Sequence, residues 1–146
     1  MTDDVEPLRL VARWIREAER LEAVRLRKDL IDTSDDIVEM LSHVEQINDW
    51  SFGIYAGWLP IIVRLHKKVM TYAPDYKIVQ VKEKFGSLRF YFDLPDGIDD
   101  AKAKIVRNLV TDTEKRSLTI CDRCGKPGRL IRDNYYHRTR CYDHAV

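Results

Sequence analysis

The chain has 146 residues, 45% of them hydrophobic and 34% charged, with 25 Lys and Arg against 24 Asp and Glu and a formal net charge of +1. That much apolar material suits one compact unit, or one and a half, and excludes wholesale disorder, while the even charge balance excludes a histone-like cationic binder. The longest stretch free of formal charge, Trp50 to Val63, is shorter than a membrane-spanning helix needs and is broken by Gly53, Gly57 and Pro60, so no membrane partner is expected.

The N-terminus is acidic where a signal peptide begins basic and continues apolar, which points to the cytoplasm. Leu8, Val11, Ile15, Ala18 and Leu21 then recur at three- and four-residue steps behind Pro7, predicting one amphipathic helix over residues 7–29. Its arginines alternate with Glu17 and Glu22, the pattern of a solvated, ion-paired face rather than a phosphate-binding stripe. A capping signal at Asp32-Thr33-Ser34 introduces a second helix, marked by Ile37, Leu41, Val44 and Ile47, to about residue 48. The two helices predict a hairpin that packs within the chain or forms a homodimer.

Charge is segregated along the chain. Residues 33–57 hold five acidic residues and no Lys or Arg, whereas residues 58–92 hold seven basic residues against two acidic ones. Either the segments face each other or each presents a patch to a partner. Between them Trp50, Phe52, Tyr55 and Trp58 form a glycine-punctuated aromatic segment, which reads as a loop docking the helical hairpin or as an anchor for a protein partner.

Pro60 opens a third predicted helix to about Tyr72, with His66 beside its apolar stripe as a core or boundary histidine. Residues 76–83 and 88–92 alternate as strands around Gly86, predicting a β-hairpin with Leu88, Phe90 and Phe92 on its core face. Asp99 or Asp100 caps a fourth helix to about Arg116. The fold class is therefore α+β: an N-terminal helical hairpin over 1–50, a helix–hairpin–helix layer over 51–117, and a metal finger over 118–146.

That finger carries the chain's strongest chemical signal. Cys121-x2-Cys124 and Cys141-x2-His144 supply three thiolates and one imidazole, the donor set of a structural Zn²⁺ site. Two ligands three residues apart in a tight turn aim at one centre, and Gly125 lets the backbone turn away after the second. Four protein ligands leave no open position for water, so the predicted zinc is structural and of the treble-clef or zinc-ribbon type. His137 competes with His144 as fourth ligand. Residues 129–132 and 135–139 predict a second hairpin turning at Asp133-Asn134.

The segment Val81-Lys82-Glu83-Lys84-Phe85-Gly86-Ser87-Leu88-Arg89-Phe90-Tyr91, with Gly57-Trp58 upstream and the cysteine pairs downstream, resembles a group of small uncharacterised bacterial and bacteriophage proteins. The resemblance covers the chain from about Gly57 onward. It implies a recurrent domain in which hairpin and finger travel together, with no activity attached.

Three readings of function follow. The first is a zinc-stabilised, non-enzymatic protein that docks on a protein partner, as a regulator or inhibitor in a bacterial or phage setting. The alternative is nucleic-acid binding through Lys82, Lys84, Arg89, Arg129, Arg132, Tyr135, Arg138 and Arg140, where basic groups meet stacking aromatics. A metal-dependent nuclease using Asp75 and Lys82 is weaker, because Gln80 stands where a second carboxylate is needed.

Overall fold

A computed structural model describes residues 6–48 and 50–145. Among these, five helices run in chain order, α1 (Pro7–Arg20), α2 (Val24–Asp32), α3 (Ser34–Leu41), α4 (Leu59–Tyr72) and α5 (Asp100–Ser117). Two sheets accompany them: β1 (Phe52–Gly53), β2 (Lys77–Lys84) and β3 (Ser87–Asp93) form one, β4 (Arg129–Asp133) and β5 (Tyr136–Arg140) the other. The α+β class is as the residue pattern predicts. No helix among the described residues is long and apolar enough to cross a membrane.

The predicted first helix is two helices. Glu22 takes the left-handed conformation (φ 55°) and the Ala23 amide donates to the Ala18 carbonyl at 2.9 Å, closing α1 with a Schellman-type turn. Glycine usually fills that position, so the sequence offers no breaker there. The buried face of α1 is also turned from the expected stripe: Leu10, Val11, Trp14 and Ala18 are buried while Leu8 is exposed. That face packs against α2, α3 and the 3₁₀ turn Ala56–Trp58, and the Trp14 and Phe52 rings meet edge to face at 5.7 Å. The buried residues of α1 are thus packed within the chain, while Leu8, Val24 and Ile31 on the N-terminal helices stay exposed.

The second predicted helix stops at Leu41, short of residue 48. Val44 instead forms a parallel bridge with Ile78, and the Ile78 amide donates to the His43 carbonyl at 3.0 Å, so sheet pairing takes the residues that helical periodicity had claimed. Asp49 lies outside the described residues. The opposed charges of the two central segments meet in part, with Asp36 and Lys67 paired at 2.8 Å.

β1 pairs parallel to β2, Phe52 opposite Val81, and β2 pairs antiparallel to β3. Phe85 and Gly86, with φ of 55° and 83°, make the two-residue turn of the hairpin. Positive φ at both centres is the twist that suits right-handed strands. The pairing slips between Ile78 and Gln80, leaving Val79 bulged outward and Ile78, Val81, Leu88 and Phe90 in the core. β3 is a sheet edge, and α5 covers it: the Leu88 amide donates to Ser117 Oγ at 3.0 Å and the Phe90 amide to Glu114 Oε2 at 2.9 Å. Capping those two groups removes a template for edge-to-edge association. Asp99 caps α5, accepting from the Ala101 and Lys102 amides.

The second hairpin turns one residue later than predicted. Asp133 pairs with Tyr136, so the loop is Asn134-Tyr135, with Asn134 at φ 51° and Tyr135 at the tip. One apolar cluster runs from Leu10 to Cys141, joining all three predicted segments through Trp14, Trp58 and Tyr76.

Candidate metal centre

Cys121 and Cys124 sit on a knuckle after α5. The Gly125 amide returns to the Cys121 carbonyl at 3.0 Å, Gly125 takes φ 79°, and the Cys121 amide donates to the Lys126 carbonyl at 2.8 Å. Cys141 follows β5 and opens the 3₁₀ turn Tyr142–His144, which swings His144 back over it. The four donor atoms come together: Cys124 Sγ to Cys141 Sγ is 3.7 Å, Cys121 Sγ to His144 Nδ1 3.7 Å, and Cys141 Sγ to His144 Nδ1 3.3 Å. A tetrahedral centre about 2.3 Å from sulfur and about 2.0–2.1 Å from nitrogen places its sulfurs about 3.8 Å from one another and about 3.6 Å from the nitrogen, within about 0.3 Å of the separations here, so these residues fit a metal ion. The three cysteines are buried and unpaired by disulfides.

The centre also prepares its thiols unequally. Burial, aided by the neighbouring Cys121 and Cys141 thiols, pushes Cys124 up to about 12 against the Lys126 amide. At Cys141 burial pushes the same way, but the His144 and Asp143 amides and the Cys124 and Cys121 thiols outweigh it, and its pKa falls. A bound cation would supply the charge that favours the thiolate forms. His137 lies outside the cluster, its ring against Phe85 at 6.2 Å, and His144 is the fourth donor.

The centre is wedged into the body of the protein. The Gly57 amide donates to the Asp122 carbonyl at 2.9 Å, and Trp58 Nε1 donates to the Ile120 carbonyl at 2.9 Å. A Cβ on Gly57 would lie 2.3 Å from the Cys121 carbonyl oxygen, which is why only glycine fits there. Asp122 and Arg140 form a buried ion pair at 3.0 Å, and burial still pushes the Asp122 carboxyl up against the pull of that guanidinium. Neither residue carries a sequence signal for the other, because eighteen positions separate them.

This seating corrects two groups of candidates. Phe52 and Trp58 are buried in the core, Phe52 against Trp14 and Trp58 bonded to the Ile120 carbonyl, so neither is a surface anchor; Trp50 (60% exposed) and Tyr55 (40%) remain open. Arg140 is buried against Asp122 and is not free for phosphate. Of the other basic candidates, Lys84, Arg129 and Arg132 are exposed and Lys82, Arg89 and Arg138 half-buried, while Tyr135 projects fully into solvent. Asp75 belongs to neither group of three or more potential metal ligands among the described residues.

The two hairpins touch. Thr139 Oγ1 donates to the Gly86 carbonyl at 2.7 Å, and Gly86 lies against Leu130 and the Arg138 backbone. Their surface sets cations over rings, Lys82 on Tyr91 at 5.8 Å, Lys84 on Phe85 at 5.7 Å and Arg138 on Tyr136 at 5.2 Å. Compared with protein-family models, with curated proteins and with solved structures, the chain finds no significant match.

Proposed function

We propose that this is a zinc-stabilised, non-enzymatic binding protein whose Cys121, Cys124, Cys141 and His144 hold a structural Zn²⁺ in a treble-clef or zinc-ribbon-like finger, and whose ligand is single-stranded nucleic acid. Three thiolates with one imidazole are the donor set zinc takes in closed sites, and four protein ligands leave no place for a reacting water. The observation that carries the nucleic-acid reading is the joined hairpin surface. Residues 77–93 and 129–138 contain seven Lys and Arg against three acidic residues, interleaved with the exposed rings of Phe85, Tyr91, Tyr135 and Tyr136. Cations neutralise phosphates while rings accept bases of any sequence by stacking.

Fluorescence anisotropy with an unstructured oligonucleotide over a salt series tests this. Affinity should fall steeply with salt, with a slope of about −0.7 per phosphate contacted, and Tyr135→Ala should weaken binding by about 1–3 kcal/mol. Binding that is absent at low salt, or flat with salt, refutes it. A protein partner is the second reading, favoured by Trp50, whose indole stands 60% exposed beside the half-open Tyr55. A pull-down whose captured protein disappears with Trp50→Ala, alongside flat anisotropy, would replace the first reading with the second.

A further inference from the structure

Where the end of α3 meets α4, the carboxylate of Glu39 lies between two histidines that the sequence separates by 23 residues. The His43 and His66 rings are 4.8 Å apart, and the His66 side chain is 1% exposed, His43 11% and Glu39 50%. His43 Nδ1 lies 2.7 Å from the Tyr76 carbonyl oxygen. A carbonyl only accepts, so Nδ1 carries the hydrogen and donates, which leaves Nε2 of the neutral ring as a bare lone pair. That lone pair faces Glu39 Oε1, another acceptor, at 3.4 Å. Two acceptors opposed across that gap repel unless something positive sits between them.

We propose that Glu39, His43 and His66 form a second metal site, for a divalent transition-metal ion of the Zn²⁺ class, separate from the four-donor centre. Both Nε2 atoms converge on the one carboxylate and the three donors lie within 4.8 Å of one another; His66 Nε2 and Glu39 Oε2 share a hydrogen bond, which an ion entering the gap would replace. The 3.4 Å between His43 Nε2 and Glu39 Oε1 matches the separation, about 3.4 Å, of two ligands each about 2.0–2.2 Å from a tetrahedral ion. Tyr76 holds the far nitrogen of both rings, with its carbonyl on His43 and its hydroxyl 2.6 Å from His66 Nδ1. Such outer partners orient metal-bound imidazoles and fix their tautomer. Imidazole with carboxylate, and no thiolate, selects zinc-like ions over soft ones.

The half-exposed Glu39 provides the entry route, and three protein ligands leave one position for water or an anion. Asp36 adds negative charge nearby while pairing with Lys67 at 2.8 Å. The competitor for the gap is a proton on His43, which the following experiment separates from a metal.

Full-length, untagged protein is stripped by chelation under reducing conditions and titrated with Co²⁺. Two equivalents should bind, one bringing thiolate-to-cobalt charge transfer and the other only ligand-field bands. Glu39→Gln and His43→Gln should each retain the charge-transfer equivalent and weaken the second by at least about tenfold. Cys124→Ser should show the converse, so failure of the finger and failure of this site are told apart. A wild-type protein that binds only the charge-transfer equivalent overturns the proposal, as does a folded Glu39→Gln protein that still binds two. If circular dichroism shows Glu39→Gln unfolded, the wild-type and Cys124→Ser titrations decide.

Discussion

Replacing Gly57 with alanine tests how the metal centre is held. Gly57 has no positive φ to protect, so the added methyl acts by bulk alone. Its carbon would lie 2.3 Å from the Cys121 carbonyl oxygen and 2.5 Å from the Asp122 carbonyl carbon and oxygen, about 1 Å inside ordinary contact. These are backbone atoms of the knuckle that carries Cys121 and Cys124, so no side-chain rotation relieves the clash. Either the finger moves away or the 3₁₀ turn opens. Overpacking of this kind costs about 1–3 kcal/mol. The Gly57 amide and Trp58 Nε1 bonds to the Asp122 and Ile120 carbonyls, both 2.9 Å, are lost with the displacement at about 1 kcal/mol each. The expected loss is therefore about 3–5 kcal/mol, read as a lower urea midpoint by tryptophan fluorescence in metal-loaded protein. An unseated finger predicts the opposite sign, because alanine in place of glycine in a helical turn stabilises by about 0.5–1 kcal/mol. A midpoint unchanged or raised would refute the docking.

Three further outcomes follow from the same contacts. Cys124→Ser, or chelation of the wild type, should release the metal, loosen residues 118–146 in hydrogen exchange and shift the emission of Trp58, while the amides of β2, β3 and α5 stay protected; metal analysis finding none in purified wild type would remove the premise. Arg140→Met leaves Asp122 buried and unpaired and should cost about 3–5 kcal/mol, most of it recovered when Asp122→Leu is added; equal losses in single and double variants would argue against the pair. Glu17 lies with its carboxyl pushed up by burial, against Arg13, Arg20 and Arg123. The folded state therefore holds its proton more tightly than the unfolded chain, so this group adds stability as pH falls through its folded pKa toward 4.5 and withholds it at neutrality. Glu17→Gln should match or exceed wild type in urea stability at pH 7 and lose that acid-side gain, and a variant markedly weaker at pH 7 contradicts it.

Local signals served well wherever one or two residues set the backbone. Gly86 turned its hairpin, Pro60 began its helix, Asp99 capped α5, and the spacing of Cys121, Cys124, Cys141 and His144 located a cluster that the fold assembles within 4.8 Å. The break after Arg20 was hidden because Glu22, with no glycine's freedom, is held left-handed while α2 seats Leu26 and Leu30 in the core. β1 was hidden for a related reason, as a two-residue strand has no periodicity and exists by pairing with Val81 and Lys82.

Composition and spacing by themselves determined the α+β class, helices α4 and α5, the first hairpin and the four metal-ligand candidates, since each follows from neighbours a few positions apart. Only the tertiary structure decided that Trp58 and Phe52 are core rather than surface, that Arg140 serves Asp122, that the two hairpins touch at Gly86 and Thr139, and that His66 stands with His43 and Glu39 rather than alone. Those contacts join residues tens of positions apart, and the burial that makes them costly or favourable exists only once the chain has closed around them.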